Sequence, residues 1–181
     1  ASTAPGAQRN TCVGVAGNDK MVIAWEDNRS GQFDIYAQWF YSNWTNITGE
    51  FVVCGLEGNQ SDPVIVVNSF GNAVIAYADG KYGNSPRKGL FAAVIDQNGT
   101  RMGNEISVYT IGAVMSPDIA LTGNDGFVIG WYYNIDNYYR PLYVQPFDRN
   151  GTKIGGVTQV FSHASPHIAI GRNPNDDLYV I

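Results

Sequence analysis

Six asparagines stand in the pattern N-x-[ST], the acceptor for N-linked glycans: Asn28, Asn43, Asn46, Asn59, Asn98 and Asn150. The chemistry is attachment of an oligosaccharide to the side-chain amide, which needs an exposed, turn-like Asn in a protein that passes through the secretory route. Three of the six share a register. Asn43, Asn98 and Asn150 each follow an apolar residue (Phe40, Ile95, Phe147) by the same interval, which predicts one structural position, the tip of a hairpin. Turn chemistry alone is the competing reading, because Asn-Gly favours tight hairpins and Thr favours strands. Asn43 speaks for the glycan, since it is followed by Trp44 rather than Gly and a turn has no need of Thr45.

A second constellation is aromatic. The stretch WYYNIDNYYRP places Tyr132, Tyr133, Tyr138 and Tyr139 beside Arg140 in one expected loop, and Tyr82 falls in the matching loop of the preceding repeat. Tyrosine offers a flat apolar face with a polar tip, suited to stacking on a sugar or docking a protein. The plainer reading packs the same rings between sheets.

Signals for catalysis are sparse. No G-x-S-x-G elbow occurs, and the two histidines, His163 and His167, lie in SHASPHIAI with no acid placed to complete a triad. EDNRSGQFD lacks the alternating oxygen ligands of an EF-hand loop. The sequence therefore predicts no catalytic residue, no metal site and no cofactor. Cys12 and Cys54 are the only cysteines. In a secreted protein they would form one disulfide across the first repeat, stabilising by about 3 to 4 kcal/mol in the loop-entropy picture; the alternative is two buried thiols.

The elements that must position these residues repeat along the chain. Strands are expected at 11–16, 21–25, 34–40 and 49–53; at 64–68, 73–77, 90–95 and 105–109; and at 118–121, 127–131, 142–147 and 157–161. Trp25, Tyr77 and Trp131 are spaced by 52 and 54 residues, and Thr11, Pro63 and Pro117 each precede them by 14. Such regularity marks the three aromatics as core. SPHIAI at 165–170 parallels SPDIAL at 116–121 and opens a fourth unit. Residues 1–9 read as an arm and 10–181 as one repeat domain, with units at 10–60, 61–115 and 116–164 and a partial unit at 165–181. Four short strands in about 50 residues are the signature of a β-propeller blade. An all-β, propeller-like array of about three and a half four-stranded antiparallel units is expected. Its second strand in the last unit, 178–181, is predicted to be an edge needing cover from another copy of the chain or a neighbouring segment.

The run WEDNRSGQFDIYAQWF resembles the W-x-D-x-R … D-I-Y-A-Q unit of secreted and cell-surface repeat proteins of propeller type. The second unit keeps Tyr77 and Asp79 but has Lys81 where Arg29 stands, and the third keeps Trp131 but has Tyr133 in place of the Asp. The resemblance implies a repeat scaffold displayed outside the cell, without specifying an activity.

Composition narrows the rest. Tyrosine and glycine are abundant, charges are few and the formal net charge is -5, which argues against a nucleic-acid binder. No apolar run approaches the roughly 20 residues of a membrane-spanning helix. A first residue other than Met suggests a removed signal peptide or a piece of a longer chain. The function expected first is a non-enzymatic, N-glycosylated extracellular protein of structural or adhesive type, such as a subunit of a surface layer or fibril. A lectin-like module binding sugar through the tyrosine loop is the alternative. A glycoside hydrolase or lyase using Glu26, Asp27 or Asp79 comes third.

Overall fold

The computed structural model describes residues 4–17, 19–80, 88–112, 114–133, 140–162, 169–172 and 178–180. Among them there is no helix. The strands run β1 (Gln8–Val15), β2 (Lys20–Asp27), β3 (Asp34–Tyr41), β4 (Phe51–Cys54), β5 (Gln60–Val67), β6 (Ala73–Asp79), β7 (Gly89–Ile95), β8 (Ile106–Tyr109), β9 (Val114–Leu121), β10 (Phe127–Tyr133), β11 (Leu142–Phe147), β12 (Thr158–Phe161), β13 (Ile170–Arg172) and β14 (Leu178–Val180). They form three four-stranded antiparallel meanders, β1-β2-β3-β4, β5-β6-β7-β8 and β9-β10-β11-β12, and a two-stranded sheet, β13-β14. The first strand of each sheet is an inner strand: β1 lies beside β5, β5 beside β9, and β9 beside β13.

The strands fall close to the expected positions, with differences at their ends: β5 and β9 begin at Gln60 and Val114 rather than at 64 and 118. Gln8 and Arg9, expected in the arm, belong to β1. The second strands run past their aromatic residue, so that β2 takes in Glu26 and Asp27 and β10 takes in Tyr132 and Tyr133.

Layering explains the hydrophobic pattern. The second sheet lies between the first and the third, so AVIAYAD and GLFAAVI are buried along their whole length and show no alternation. Its one face packs Ile75, Tyr77, Phe91 and Ile95 against Val22, Ala24, Ile35 and Trp39 of the first sheet. Its other face packs Val74, Ala76, Leu90 and Val94 against Phe127, Ile129, Trp131 and Phe147 of the third. Each junction sets small aliphatic residues against large or aromatic ones, which lets facing sheets interdigitate. A smaller cluster, Ala120 and Val128 with Ile170, seats β13 on the third sheet.

This arrangement overturns the expected disulfide. Cys12 and Cys54 both stand as thiols. Cys12 lies on β1 and Cys54 on β4, the two opposite edges of the first sheet. Three interstrand spacings separate edge from edge, about 14 Å, whereas a bridge needs Cα atoms within about 7 Å. Each thiol has its own place: Cys12 Sγ donates to the Ala24 carbonyl at 3.8 Å, and Cys54 packs in the core between the first two sheets. Burial pushes the Cys12 thiol up to about 12, which suppresses the reactive thiolate. Without added reductant, two thiols per chain should titrate with Ellman's reagent in denaturant, and the melting temperature should not change on reduction. A drop in melting temperature with reductant would show that the bridge exists.

Candidate functional site

The same irregularity recurs in the inner strand of each four-stranded sheet. Ladder pairing breaks between Arg9 and Cys12, between Ser61 and Val64, and between Met115 and Asp118, so that two residues face one on the neighbouring strand. The pairs are Asn10-Thr11, Asp62-Pro63 and Ser116-Pro117, and the single residues opposite are Trp25, Tyr77 and Trp131. Asn10, Asp62 and Ser116 take left-handed φ values of 50°, 53° and 45°. Asn and Asp tolerate that conformation better than other side chains, and Pro in the second position loses little where the ladder is already broken. β-Bulges of this kind re-aim side chains and gather next to active sites. Here they put three polar residues at one end of the inner strands, the end at which β2 also leads into β3.

Glu26 organises that end. Its carboxylate is fully buried and accepts hydrogen bonds from Arg9 Nε at 2.7 Å, Asn10 Nδ2 at 2.7 Å and the Asp62 backbone N–H at 2.8 Å. One acid therefore holds the bulge of the first sheet and the bulge of the second together. Arg9 also lies 3.8 Å over the Phe33 ring. By register the second and third sheets have Ala78 and Tyr132 where the first has Glu26, so this carboxylate breaks the equivalence of the sheets.

Beside it, the W-x-D-x-R motif proves to be a clamp. Asp27, also buried, accepts from the Trp25 indole N–H at 3.0 Å, the Arg29 backbone N–H at 2.9 Å and the Arg29 guanidinium at 2.5 Å. Arg29 in turn pairs with Glu50 at 2.7 Å and lies 4.1 Å over the Tyr36 ring, which stacks with Trp25 across the strands. Desolvation works to raise the Asp27 carboxyl, but the Arg29 and Trp25 hydrogen bonds outweigh it and hold it at about 2. Asp34 accepts from Ser30 Oγ at 2.6 Å and Gln32 Nε2 at 3.1 Å, fastening the β2–β3 connection. In the third sheet, with Tyr133 in place of the Asp, the buried Trp131 indole N–H has no hydrogen-bond partner among the described residues. Asp118 on β9 behaves oppositely to Asp27: burial raises its carboxyl even though it accepts the Ile170 backbone N–H at 2.5 Å.

The tyrosine loop is differently built from the sequence expectation. Tyr132 is buried within β10, facing Leu142 and Met115 in the ladder, because the strand continues past Trp131. Tyr133 is half-buried and packs edge-on against Tyr109 at 5.8 Å, in a cluster with Trp131 and Tyr143. Both belong to sheet packing. Arg140 is half-buried at the start of the return strand, while Tyr138, Tyr139, Tyr82, His163 and His167 lie outside the described residues.

The sequons divide by exposure. Asn43, Asn98 and Asn150 are exposed at equivalent β3–β4, β7–β8 and β11–β12 turns, at the end of the sheets away from the bulges, and Asn46 is exposed in the same turn as Asn43. Asp96 and Asp148 brace the second and third of these turns by accepting the amides of Asn98 and Thr100, and of Asn150 and Thr152. In the first, Asn43 itself accepts the Thr45 amide at 3.0 Å. Asn28 and Asn59 are half-buried, and their side-chain oxygens hold the backbone of Ala7 and Phe33.

With this geometry in place, known proteins supply a likeness of fold. The chain is similar to a protein of unknown function from Dyadobacter fermentans DSM 18053, with TM-score 0.68 and 10% identity over 97% of this chain and 61% of that one. It is similar to a thermostable family-43 glycoside hydrolase, with TM-score 0.58 and 12% identity over 92% and 62%. A glycosyl hydrolase from Bacteroides ovatus follows, with TM-score 0.53 and 16% identity over 87% and 52%. The chain thus spans between about half and three-fifths of these proteins, and at such identities it is the fold that is shared. No family model and no curated protein matches the sequence.

The bulges are the feature that reading the sequence passed over, although Thr11, Pro63 and Pro117, at constant offset from the aromatics, are their second residues. The depressed Asp27 carboxyl gives the site a pH signature. Its folded value lies below the ordinary 3.8, so its stabilisation is complete above about pH 4 and disappears as pH falls towards 2; it amounts to about 2 kcal/mol. Urea unfolding of the parent chain and Asp27→Asn should differ by about that amount at pH 6 and converge near pH 2. A difference independent of pH would dismiss the clamp as the source.

Proposed function

We propose that this chain is a carbohydrate-recognising domain of propeller type, its sheets acting as blades around the inner strands and its saccharide lying at the bulged end against Arg9, Asn10, Asp62 and Ser116. One observation carries the reading: three left-handed bulges, spaced by 52 and 54 residues, present polar groups at the same end of a fold similar to two glycoside hydrolases. Sugar hydroxyls are recognised by closely set donors and acceptors on a rigid frame. Glu26 provides that rigidity, since its oxygens already hold Arg9, Asn10 and the Asp62 amide. The reading moves the sugar from the tyrosine loop, where Tyr132 and Tyr133 pack in the sheets, to the inner strands.

Hydrolysis is a second reading, favoured by the two glycoside hydrolases among the similar folds. A glycosidase needs two carboxylates about 5 to 10 Å apart across a cleft. The structural or adhesive role that the sequence put first gains no support from the similar folds. Secretion and N-glycosylation are compatible with either reading. Exposure favours sugar on Asn43, Asn46, Asn98 and Asn150 over Asn28 and Asn59.

A glycan array followed by calorimetry on the strongest hit tests the proposal. Arg9→Ala and Asn10→Ala should each weaken binding about tenfold or more, while Asn98→Gln at the opposite end should leave it unchanged. A folded chain that binds no glycan would refute the reading, and reducing-sugar release from the bound glycan would replace it with hydrolysis. Expression in a glycosylating host and mass analysis before and after deglycosylation should place any sugar on the exposed turn asparagines.

A further inference from the structure

The junction of the first and second sheets is built like that of the second and third. In each, the turn before the last strand of the later sheet reaches back to the fourth strand of the earlier one. Gly99 and Gly151 lie where a Cβ would run into Phe51 of β4 and Ile106 of β8. Arg101 and Lys153, bridged to Ile95 and Phe147, donate to the carbonyls of Val53 and Val108 on the same two strands. The first sheet has Trp44 and Asn46 at these turn positions. By ladder register Cys54 corresponds to Tyr109, Tyr77 to Trp131 and Glu105 to Val157.

On this shared frame two exchanges give the junctions different interiors. At the second, the Tyr109 ring fills the seam, packed on Trp131 at 5.3 Å between centroids and against Tyr133 and Tyr143. At the first, the small Cys54 side chain stands in place of that ring, and a notch of about 400 Å³ opens, lined by Val52, Cys54, Gly55, Leu56, Arg101 and Glu105. Its rim is accessible: Val52 and Leu56 are about half exposed, Arg101 is exposed and Glu105 is half-buried, while Cys54 lies buried beneath them. The Glu105 carboxylate accepts the Tyr77 hydroxyl, whereas the side chain of Val157 offers Trp131 no acceptor. A seam closed by a ring at one junction is thus, at the other, a cavity bearing both signs of charge over a thiol.

We propose that this notch binds a free aromatic amino acid. Its ring lies against Val52, Leu56 and the Cys54 thiol, in the seam that a phenol ring fills at the next junction. Its carboxylate meets the Arg101 guanidinium, whose planar fork of donors offers more than the one contact to the Val53 carbonyl requires. Its ammonium meets the Glu105 carboxylate. A neutral sugar would use neither charge, and a simple anion or amine only one. The site lies on the outer fourth strands, apart from the inner-strand bulges, and does not rest on saccharide binding there.

Calorimetric titration of the 181-residue chain with L-phenylalanine provides the test. Binding of one equivalent is expected, with a Kd of about 1 mM or tighter. Phenethylamine, phenylpropionate and alanine, which lack the carboxylate, the ammonium and the ring in turn, should each bind about tenfold more weakly or not at all. Cys54→Tyr and Arg101→Lys install the residues of the second junction, so neither should lower the melting temperature. The first should abolish binding by filling the notch. The second keeps the cation but loses the fork, and should weaken binding about tenfold; it decides the matter alone if Cys54→Tyr does not fold. Arg9→Ala should leave amino-acid binding unchanged, which separates this site from the saccharide site. No binding at about 20 mM L-phenylalanine, equal binding of all four compounds, or undiminished binding by the folded variants would each overturn the proposal.

Discussion

Near the end of the second strand of each four-stranded sheet a large aromatic ring faces two residues of the inner strand where one would fit, and much of the structure follows from that mismatch. Trp25, Tyr77 and Trp131 are each almost wholly buried, and each pairs across to an aromatic on the third strand, Tyr36, Phe91 or Tyr143. The ring pair fixes the register between second and third strands. The bulge bends the inner strand and turns Asn10, Asp62 or Ser116 into a left-handed conformation that costs about 1 kcal/mol or more. Burial of the ring, worth several kcal/mol on truncation, outweighs that strain. The polar end of the inner strands is thus held by packing beneath it.

Charge is then placed where packing has made room. Glu26 and Asp27 are adjacent on β2, so their side chains leave opposite faces of the first sheet, yet both are buried. Glu26 faces the second sheet and ties two bulges; Asp27 faces the open side and locks Trp25 beneath Arg29. A buried carboxylate is tolerable only when donors replace its lost water, and each of these has three. At Asp118 burial outweighs the backbone hydrogen bonds from Ile170 and Ile119, and its carboxyl moves up. The W-x-D-x-R motif is consequently a statement about covering an aromatic pair, which is why the buried third sheet, covered by Tyr109 instead, can dispense with both the Asp and the Arg.

Much of this was legible in the sequence because the repeat carries it. Constant offsets between Thr11, Pro63, Pro117 and the aromatics placed the strands and paired the sequon turns correctly. What escaped was everything that depends on neighbours across sheets. Tyr132 and Tyr133 look like the start of a loop, yet they continue β10 because Leu142 and Pro141 bring the return strand back beside them. Cys12 and Cys54 fall in one unit, and sequence separation does not reveal that a meander sends its first and fourth strands to opposite edges. The bulges leave only a one-residue surplus, which letters cannot distinguish from a longer strand.

The first sheet departs from the other two at several places, and the departures are of two kinds. Glu26 for Ala78 or Tyr132 adds a charge at the bulged end, where a ligand would meet the inner strands. Trp44 for Gly99 or Gly151, and Asn46 for Arg101 or Lys153, remove the features that hold a preceding fourth strand. Between these two ends Ile23, Trp25, Gln38 and Phe40 keep the types found in the third sheet, and Trp25, Gln38 and Phe40 are themselves buried. The rows beneath the turn are thus held by the same side-chain types in both sheets, and the rim is where the first sheet diverges.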